Sequence, residues 1–165
     1  MKVLAIDPGY GRCGVAVVEK ENGPSASLRA GKEKLIYSAC IETSAKVDFH
    51  ERLSAITKEC RRLLEEHRPD ALALEKLFFS KNQKTAMRVA EVRGALIDIA
   101  STLGIGVHEY SPGEVKIAAG GYGKADKEQV AKMLHALISI KKKIRYDDEY
   151  DAIAIGITHL ARQRL

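Results

Sequence analysis

Four acidic residues stand where a chain could carry metal-ion chemistry: Asp7, Glu75, Asp148 and Asp151. Asp7 ends a short apolar run and is followed by Pro8-Gly9-Tyr10-Gly11, whose glycines permit a tight turn and a close backbone approach to a phosphate. Glu75 ends a second apolar run, Ala71-Leu72-Ala73-Leu74. A charge joined to a buried strand is costly unless a metal or a basic residue pairs with it. Asp148 and Asp151 lie three apart near a helix start and so share one face. Taken singly, each has an ordinary explanation: a turn aspartate, a strand-end glutamate facing water, and two acids favoured by a helix dipole. The sequel Ala152-Ile153-Ala154-Ile155-Gly156-Ile157 is what breaks the pattern. Such an apolar helix must pack on a sheet and carry Asp148 and Asp151 inward, leaving Asp147 and Glu149 as cap and solvent-facing residues. Four carboxylates in one cleft repel strongly without cations, and oxygen-only ligands select Mg²⁺ or Mn²⁺ over zinc. Two such ions about 3.5–4 Å apart suit phosphodiester hydrolysis, activating a water and stabilising the leaving oxygen.

The elements that must position these groups follow from periodicity. Residues 2–7, 13–19 and 35–41 read as three strands in an antiparallel meander, with an open turn over residues 21–27. Asp48-Phe49-His50-Glu51 is a capping-box pattern, and Leu53, Ile56, Cys60 and Leu63 then fall at helical spacing until Pro69. Residues 71–74 give a buried strand. Val89, Val92, Leu96, Ile99 and Leu103 mark a second long helix, and residues 106–110 a fifth strand. Helix starts follow at Ser111-Pro112-Gly113-Glu114 and Asp126-Lys127-Glu128-Gln129, and the last helix is expected from about Asp147 to about Arg164. The order predicts an α/β protein: a five-stranded mixed sheet, its first three strands antiparallel, with helices on its faces. In such sheets sites form beyond the strand ends.

Composition bounds the partners. The 165 residues suit one domain spanning 1–165, and 27 Lys and Arg against 22 Asp and Glu give a formal charge of +5. That balance suits polyanions without demanding them. Cys13, Cys40 and Cys60 form no CxxC pair, which argues against a disulfide framework or a zinc site and for small core residues in a reducing compartment. No run approaches the roughly 18 apolar residues of a membrane span, so a cytoplasmic protein is expected. The five histidines show no ligand spacing, and His159 is expected to serve as a cap or at the surface. Lys141-Lys142-Lys143 reads as a solvated connection that adds non-specific attraction to DNA. Lys76-Leu77-Phe78-Phe79 sets two aromatics just past Glu75 in a chain only 5% aromatic. Phe78 there suits base stacking, and Phe79 the core.

Five segments, in this order, resemble the RuvC family of Holliday-junction resolvases. They are Ile6-Asp7-Pro8-Gly9; Ala73-Leu74-Glu75-Lys76-Leu77-Phe78 with Lys81-Asn82; Glu109-Tyr110-Ser111-Pro112-Gly113-Glu114-Val115-Lys116; Gly121-Tyr122-Gly123-Lys124-Ala125-Asp126-Lys127; and the run from Asp148 to His159. The resemblance implies a ribonuclease H-like, Mg²⁺-dependent endonuclease acting in recombination and DNA repair. It implies a homodimer that nicks opposed strands of a four-way DNA junction, leaving 5′-phosphate and 3′-hydroxyl ends, together with the RuvAB branch-migration complex. By position it makes Asp7, Glu75, Asp148 and Asp151 the catalytic metal ligands, Phe78 the aromatic at the junction centre, and Lys116 and Lys127 basic residues near the scissile phosphate. Three departures stand out. The hairpin over residues 21–34 is longer than the family pattern, Lys76 stands beside Glu75 where it either tunes that carboxylate or faces DNA, and Gly120-Gly121 softens the following loop. The alternatives are a ribonuclease H-like enzyme processing pre-ribosomal RNA, an actin-like kinase, and a non-catalytic junction-binding module. Phe78 and the 121–127 segment disfavour the first, chain length the second, and the complete carboxylate set the third.

Overall fold

The apolar run Lys2–Asp7 forms strand β1, enclosed at every position but its ends, as a central strand covered on both faces must be. The computed structural model describes residues 1–20, 33–77, 83–121 and 126–163. The turn at residues 21–27, Phe78, Phe79, and the loop 122–125 therefore lie outside the described residues, at least in part. β2 (Arg12–Lys20) pairs antiparallel with β1, and β3 (Glu33–Glu42) antiparallel with β2. β4 (Ala71–Glu75) lies parallel to β1 on its other side, and β5 (Gly106–Tyr110) parallel to β4. The sheet order is β3-β2-β1-β4-β5. This is the mixed five-stranded sheet expected from the sequence.

Alternation along the strands separates two cores. Leu4, Ile6, Val15, Val17, Leu72 and Leu74 face helices α1 (Phe49–His67) and α2 (Gln83–Thr102). The opposite face presents Val3, Ala5, Ala16, Val18, Ala71 and Ala73 to α3 (Pro112–Gly120), α4 (Lys127–Leu137) and α5 (Asp147–Arg162). Most of those side chains are short, so a helix can lie close to the strands. α5 does, and its residues Ala152 to Leu160 are all buried.

Two glycines set that approach. A Cβ on Gly14 would lie 1.7 Å from the carbonyl oxygen of Asp148, and one on Gly156 would lie 2.7 Å from Val18 Cγ2. The first contact is backbone against backbone and has no flexible end to yield. Gly14 is also the register partner of Asp7. The missing side chain therefore seats the start of α5 on β2 beside the end of β1.

The capping boxes at Ser111 and Asp126 form in full, with each side chain accepting from the backbone N–H three residues on. The one expected at Asp48 does not: Asp48 occupies the N-cap position with extended backbone, and its side chain makes no cap bond. Helix α1 instead ends on Arg68 in a left-handed conformation (φ 44°), just before Pro69. Cys13 and Cys60 are buried in the α1–α2 core and Cys40 is half-buried, all three as free thiols.

Gly14→Ala is expected to destabilise the protein by at least about 2 kcal/mol, because the added carbon meets a backbone atom that cannot move aside. Gly113→Ala, where a Cβ meets nothing within 4 Å, serves as the control. Urea unfolding of the two variants measures the difference, and equal midpoints would remove the steric reading.

Candidate acidic centre

β1 and β4 run parallel with Ile6 opposite Leu74, so Asp7 and Glu75 emerge side by side where the strands end. The start of α5, held on Gly14, brings Asp148 and Asp151 over the same end. All four carboxylates are half-buried. Four residues from three distant segments thus gather at one end of the sheet, as their pattern in the sequence predicts.

Their electrostatics show the crowding. Asp7 is pushed up from 3.8 to about 7, first by burial and then by Asp151, Glu75 and Asp148; Lys127 opposes the rise. Glu75 is raised by burial and Asp151, against Lys116. Asp151 is raised by burial, with Asp147 and Asp148 adding to it and Lys127 and Lys116 acting against it. Each carboxylate here is destabilised as an anion mainly because water is excluded and its neighbours carry the same charge. Oxygen donors in that state fit a hard divalent cation, which would relieve both penalties.

Lys116 and Lys127 stand on the rim of this acidic cleft, both exposed. The cleft, of about 530 Å³, is lined by Glu75 and Asp151 on one side and by Lys116, Lys127 and the α3–α4 surface on the other. Lys127 Nζ also donates to Asp147 at 2.9 Å. The cation that acts on Glu75 is Lys116, three elements away in sequence; the adjacent Lys76 acts instead on Glu114. A larger groove of about 1080 Å³ lies between β3 and the end of α4, and none of the four carboxylates lines it.

Asp148 is engaged differently. Its Oδ2 lies 3.3 Å from Arg12 Nε, and the Arg12 guanidinium in turn stacks on the Tyr146 ring, 5.1 Å from its centroid. Tyr146 donates to Glu42 at 2.7 Å, closing a chain of contacts across the start of β2. Among the described residues no three acidic, histidine or cysteine side chains converge closely enough to clasp one ion outright. Arg12 carries no sequence signal except its place two residues before Gly14, a relation visible only once α5 is docked.

Two expectations around the site are corrected. Glu149 does not face solvent: it is 5% exposed, accepts from Ser38 Oγ at 2.6 Å and pairs with Lys142 Nζ at 2.5 Å. Lys142 itself stays exposed, as expected of the Lys141–Lys143 connection, while its ammonium reaches Glu149 and the Ser38 carbonyl. His159 is neither cap nor surface residue. It is fully buried, its Nδ1 lies 2.9 Å from the Tyr110 hydroxyl, and burial lowers it to about 4, with His108 adding to the effect. It is neutral at physiological pH and ties α5 to β5. In both cases a polar side chain on the inner face of α5 finds a partner on the sheet, which helical periodicity alone does not reveal.

The fold and the site together define a ribonuclease H-like protein with an acidic centre at its strand ends. Residues 3–159 match the family model described as Crossover junction endodeoxyribonuclease RuvC. The protein of that name from Moorella thermoacetica is 41% identical over 159 residues, covering 96% of this chain and 90% of that one. The structure described as T. thermophilus RuvC in complex with Holliday junction substrate has a TM-score of 0.88 at 33% identity, covering 99% of this chain and 95% of that one. The yeast mitochondrial Holliday junction resolvase shares the fold, with a TM-score of 0.67 at 14% identity, covering 99% and 84% of the two chains. This chain belongs to the RuvC family. No helix among the described residues is long and apolar enough to cross a membrane.

The raised Asp7 carboxyl has a measurable consequence. The unfolded chain loses this proton near 3.8 and the folded chain near 7, so between those values the folded state holds more protons. Stability in EDTA should fall as pH rises through that window. Asp7→Asn should flatten the fall, as thermal unfolding between about pH 4 and about pH 7 would report; parallel curves for the two proteins would contradict it.

Proposed function

We infer that this chain is a crossover junction endodeoxyribonuclease that resolves four-way DNA junctions by phosphodiester hydrolysis. The observation that carries the reading is the meeting of Asp7, Glu75, Asp148 and Asp151 at one end of a RuvC-family sheet, with Lys116 and Lys127 on the rim. The neighbour described as RuvC in complex with Holliday junction substrate supports the choice of DNA junction over RNA.

Asp7, Glu75, Asp148 and Asp151 would hold divalent cations, Mg²⁺ or Mn²⁺, two to a centre. When bound, such ions activate the attacking water and offset charge on the leaving oxygen. The protein's own groups do the rest. Lys116 and Lys127 draw the phosphate to the rim and balance the carboxylates across the cleft. The buried ends of β1 and β4 hold Asp7 and Glu75 at a fixed spacing, and the Gly14 contact fixes α5 relative to them, so little reorganisation remains at the moment of reaction. Water adds to phosphorus as the bond to the 3′ oxygen breaks, leaving 5′-phosphate and 3′-hydroxyl ends. Phe78, just beyond Glu75, is assigned to stacking on a base at the junction centre. The working form is a cytoplasmic homodimer, each subunit nicking one of two opposed strands, with the RuvAB branch-migration complex as its partner.

The test is to incubate the protein with a synthetic four-way junction, linear duplex and structured RNA, each with Mg²⁺ or with EDTA, and to map the nicks. Paired symmetrical nicks in the junction, abolished by EDTA, are expected. Asp7→Asn should bind the junction with affinity close to wild type yet not cut it, because it removes an anionic ligand and no positive charge. Cleavage of RNA in preference to the junction, or Mg²⁺-dependent nicking by Asp7→Asn, would overturn the assignment.

A further inference from the structure

On the opposite face of the sheet from the acidic cleft, the turn after Asp7 meets the starts of α1 and α2 around a second cleft of about 740 Å³. Its wall carries three cations, Arg52, Lys84 and Arg88, against one acid, Glu91. Two of the cations are stacked on rings. The Arg52 guanidinium carbon lies 4.7 Å from the Tyr10 centroid, and that of Arg88 lies 4.1 Å from the Phe49 centroid. The rings themselves meet edge to face at 6.0 Å.

Arg52 is pinned. Its Nε donates to Thr43 Oγ1 at 2.9 Å, and Thr43 in turn donates to the Tyr10 carbonyl, so Arg52 is tied into the turn that follows Asp7. Among the described residues no acceptor engages its terminal nitrogens. A guanidinium placed over a ring and tethered only through Nε keeps its terminal N–H groups for outside oxygens, in the fork geometry that suits phosphate. Arg88 shares its charge with Glu91 at 3.0 Å, while Lys84 is exposed and makes no ion pair among the described residues.

The place of the cleft identifies its occupant. Tyr10 is three residues beyond Asp7, so the two lie within roughly 10 Å by chain reach. Each cleft includes a residue from the sheet end where β1, β3 and β4 finish: Glu75 lines the acidic one and Tyr10 the basic one. A nucleic-acid strand with one phosphate at the carboxylates carries further phosphates past that end at a rise of about 3.4 Å per nucleotide. We propose that the Arg52–Lys84–Arg88 cleft binds a backbone phosphate of the cut DNA strand within about three nucleotides of the scissile one. Arg52 is the preorganised anchor; Lys84 and Arg88 are the exposed contacts. The proposal rests on the nuclease reading and extends it, since it gives the substrate strand a second grip across the rim from Lys116 and Lys127.

Arg52 also buttresses the turn beside Asp7, so the exposed pair carries the test. Junction binding is measured in EDTA over a salt series for the wild type and for Lys84→Gln/Arg88→Gln. The same two proteins are then tested on junctions with one neutral methylphosphonate at successive positions around the cut site. The double variant should lower the slope of log K against log salt by one to two units, at roughly 0.9 per phosphate contact. One flanking methylphosphonate should weaken wild-type binding on the order of tenfold and leave the variant's affinity unchanged. An unchanged slope, or methylphosphonate losses equal in both proteins, overturns the proposal while leaving the nuclease reading intact. A variant that loses junction affinity only because it falls to a smaller species on gel filtration also overturns it and makes the cleft a contact between copies of the chain. A wild-type protein that binds no DNA overturns the nuclease reading and this proposal together.

Discussion

A side chain cannot exist at residue 14 in this fold. The carbonyl of Asp148 occupies the space a Cβ would take, 1.7 Å from where it would sit, and Asp7 lies opposite Gly14 in the adjoining strand. From that contact the rest of the centre follows. α5 begins where β1 ends, so the acids at its start overhang Asp7, and the parallel pairing of β4 with β1 adds Glu75 alongside. Gly156, pressed on Val18, repeats the close approach two turns further along and keeps the helix from lifting away. Ala5, Ala16 and Ala152 extend the same short-side-chain seam.

The placement is unfavourable for the carboxylates themselves. Burial and mutual repulsion raise Asp7, Glu75 and Asp151, and the fold tempers this with cations at the periphery: Lys116 and Lys127 across the cleft, and Arg12 directly on Asp148. None of these cations is buried, so their pairing with the carboxylates is screened by solvent. The polar groups that are buried serve another purpose. Glu149 with Ser38, and His159 with Tyr110, bolt the inner face of α5 to β3 and to β5, on the two outer strands of the sheet. Asp7, Glu75, Asp148 and Asp151 stay half-buried at the strand ends, whereas Glu149 and His159 are enclosed and paired.

Much of this arrangement is legible in the sequence, for reasons that can be named. The inner strands β1, β2 and β4 are runs of apolar residues that only a doubly covered sheet can bury, and Ser111 and Asp126 announce their helices through caps that form as local chemistry dictates. Asp148 and Asp151 are legible as a pair because the helix behind them is too apolar to face water. What is not legible depends on packing between distant segments. The reason for Gly14 exists only when α5 is in place, and the same is true of Arg12. Glu149 looks exposed because its partners Ser38 and Lys142 arrive from β3 and the α4–α5 link, and His159 looks peripheral because Tyr110 comes from the far edge of the sheet. Lys76 is next to Glu75 along the chain, yet Lys116 is the cation that acts on it.

The proposed function requires carboxylates from three separate segments to form one divalent-cation centre. Calorimetric titration of Mn²⁺ into the wild type and into Asp7→Asn, Glu75→Gln and Asp151→Asn tests it most directly, with no substrate present. Each substitution should weaken the same binding event by on the order of tenfold or more, because each removes an anionic ligand from one shared site. Undiminished Mn²⁺ binding by all three variants would mean that the acids meet without forming a metal centre, and would contradict the account.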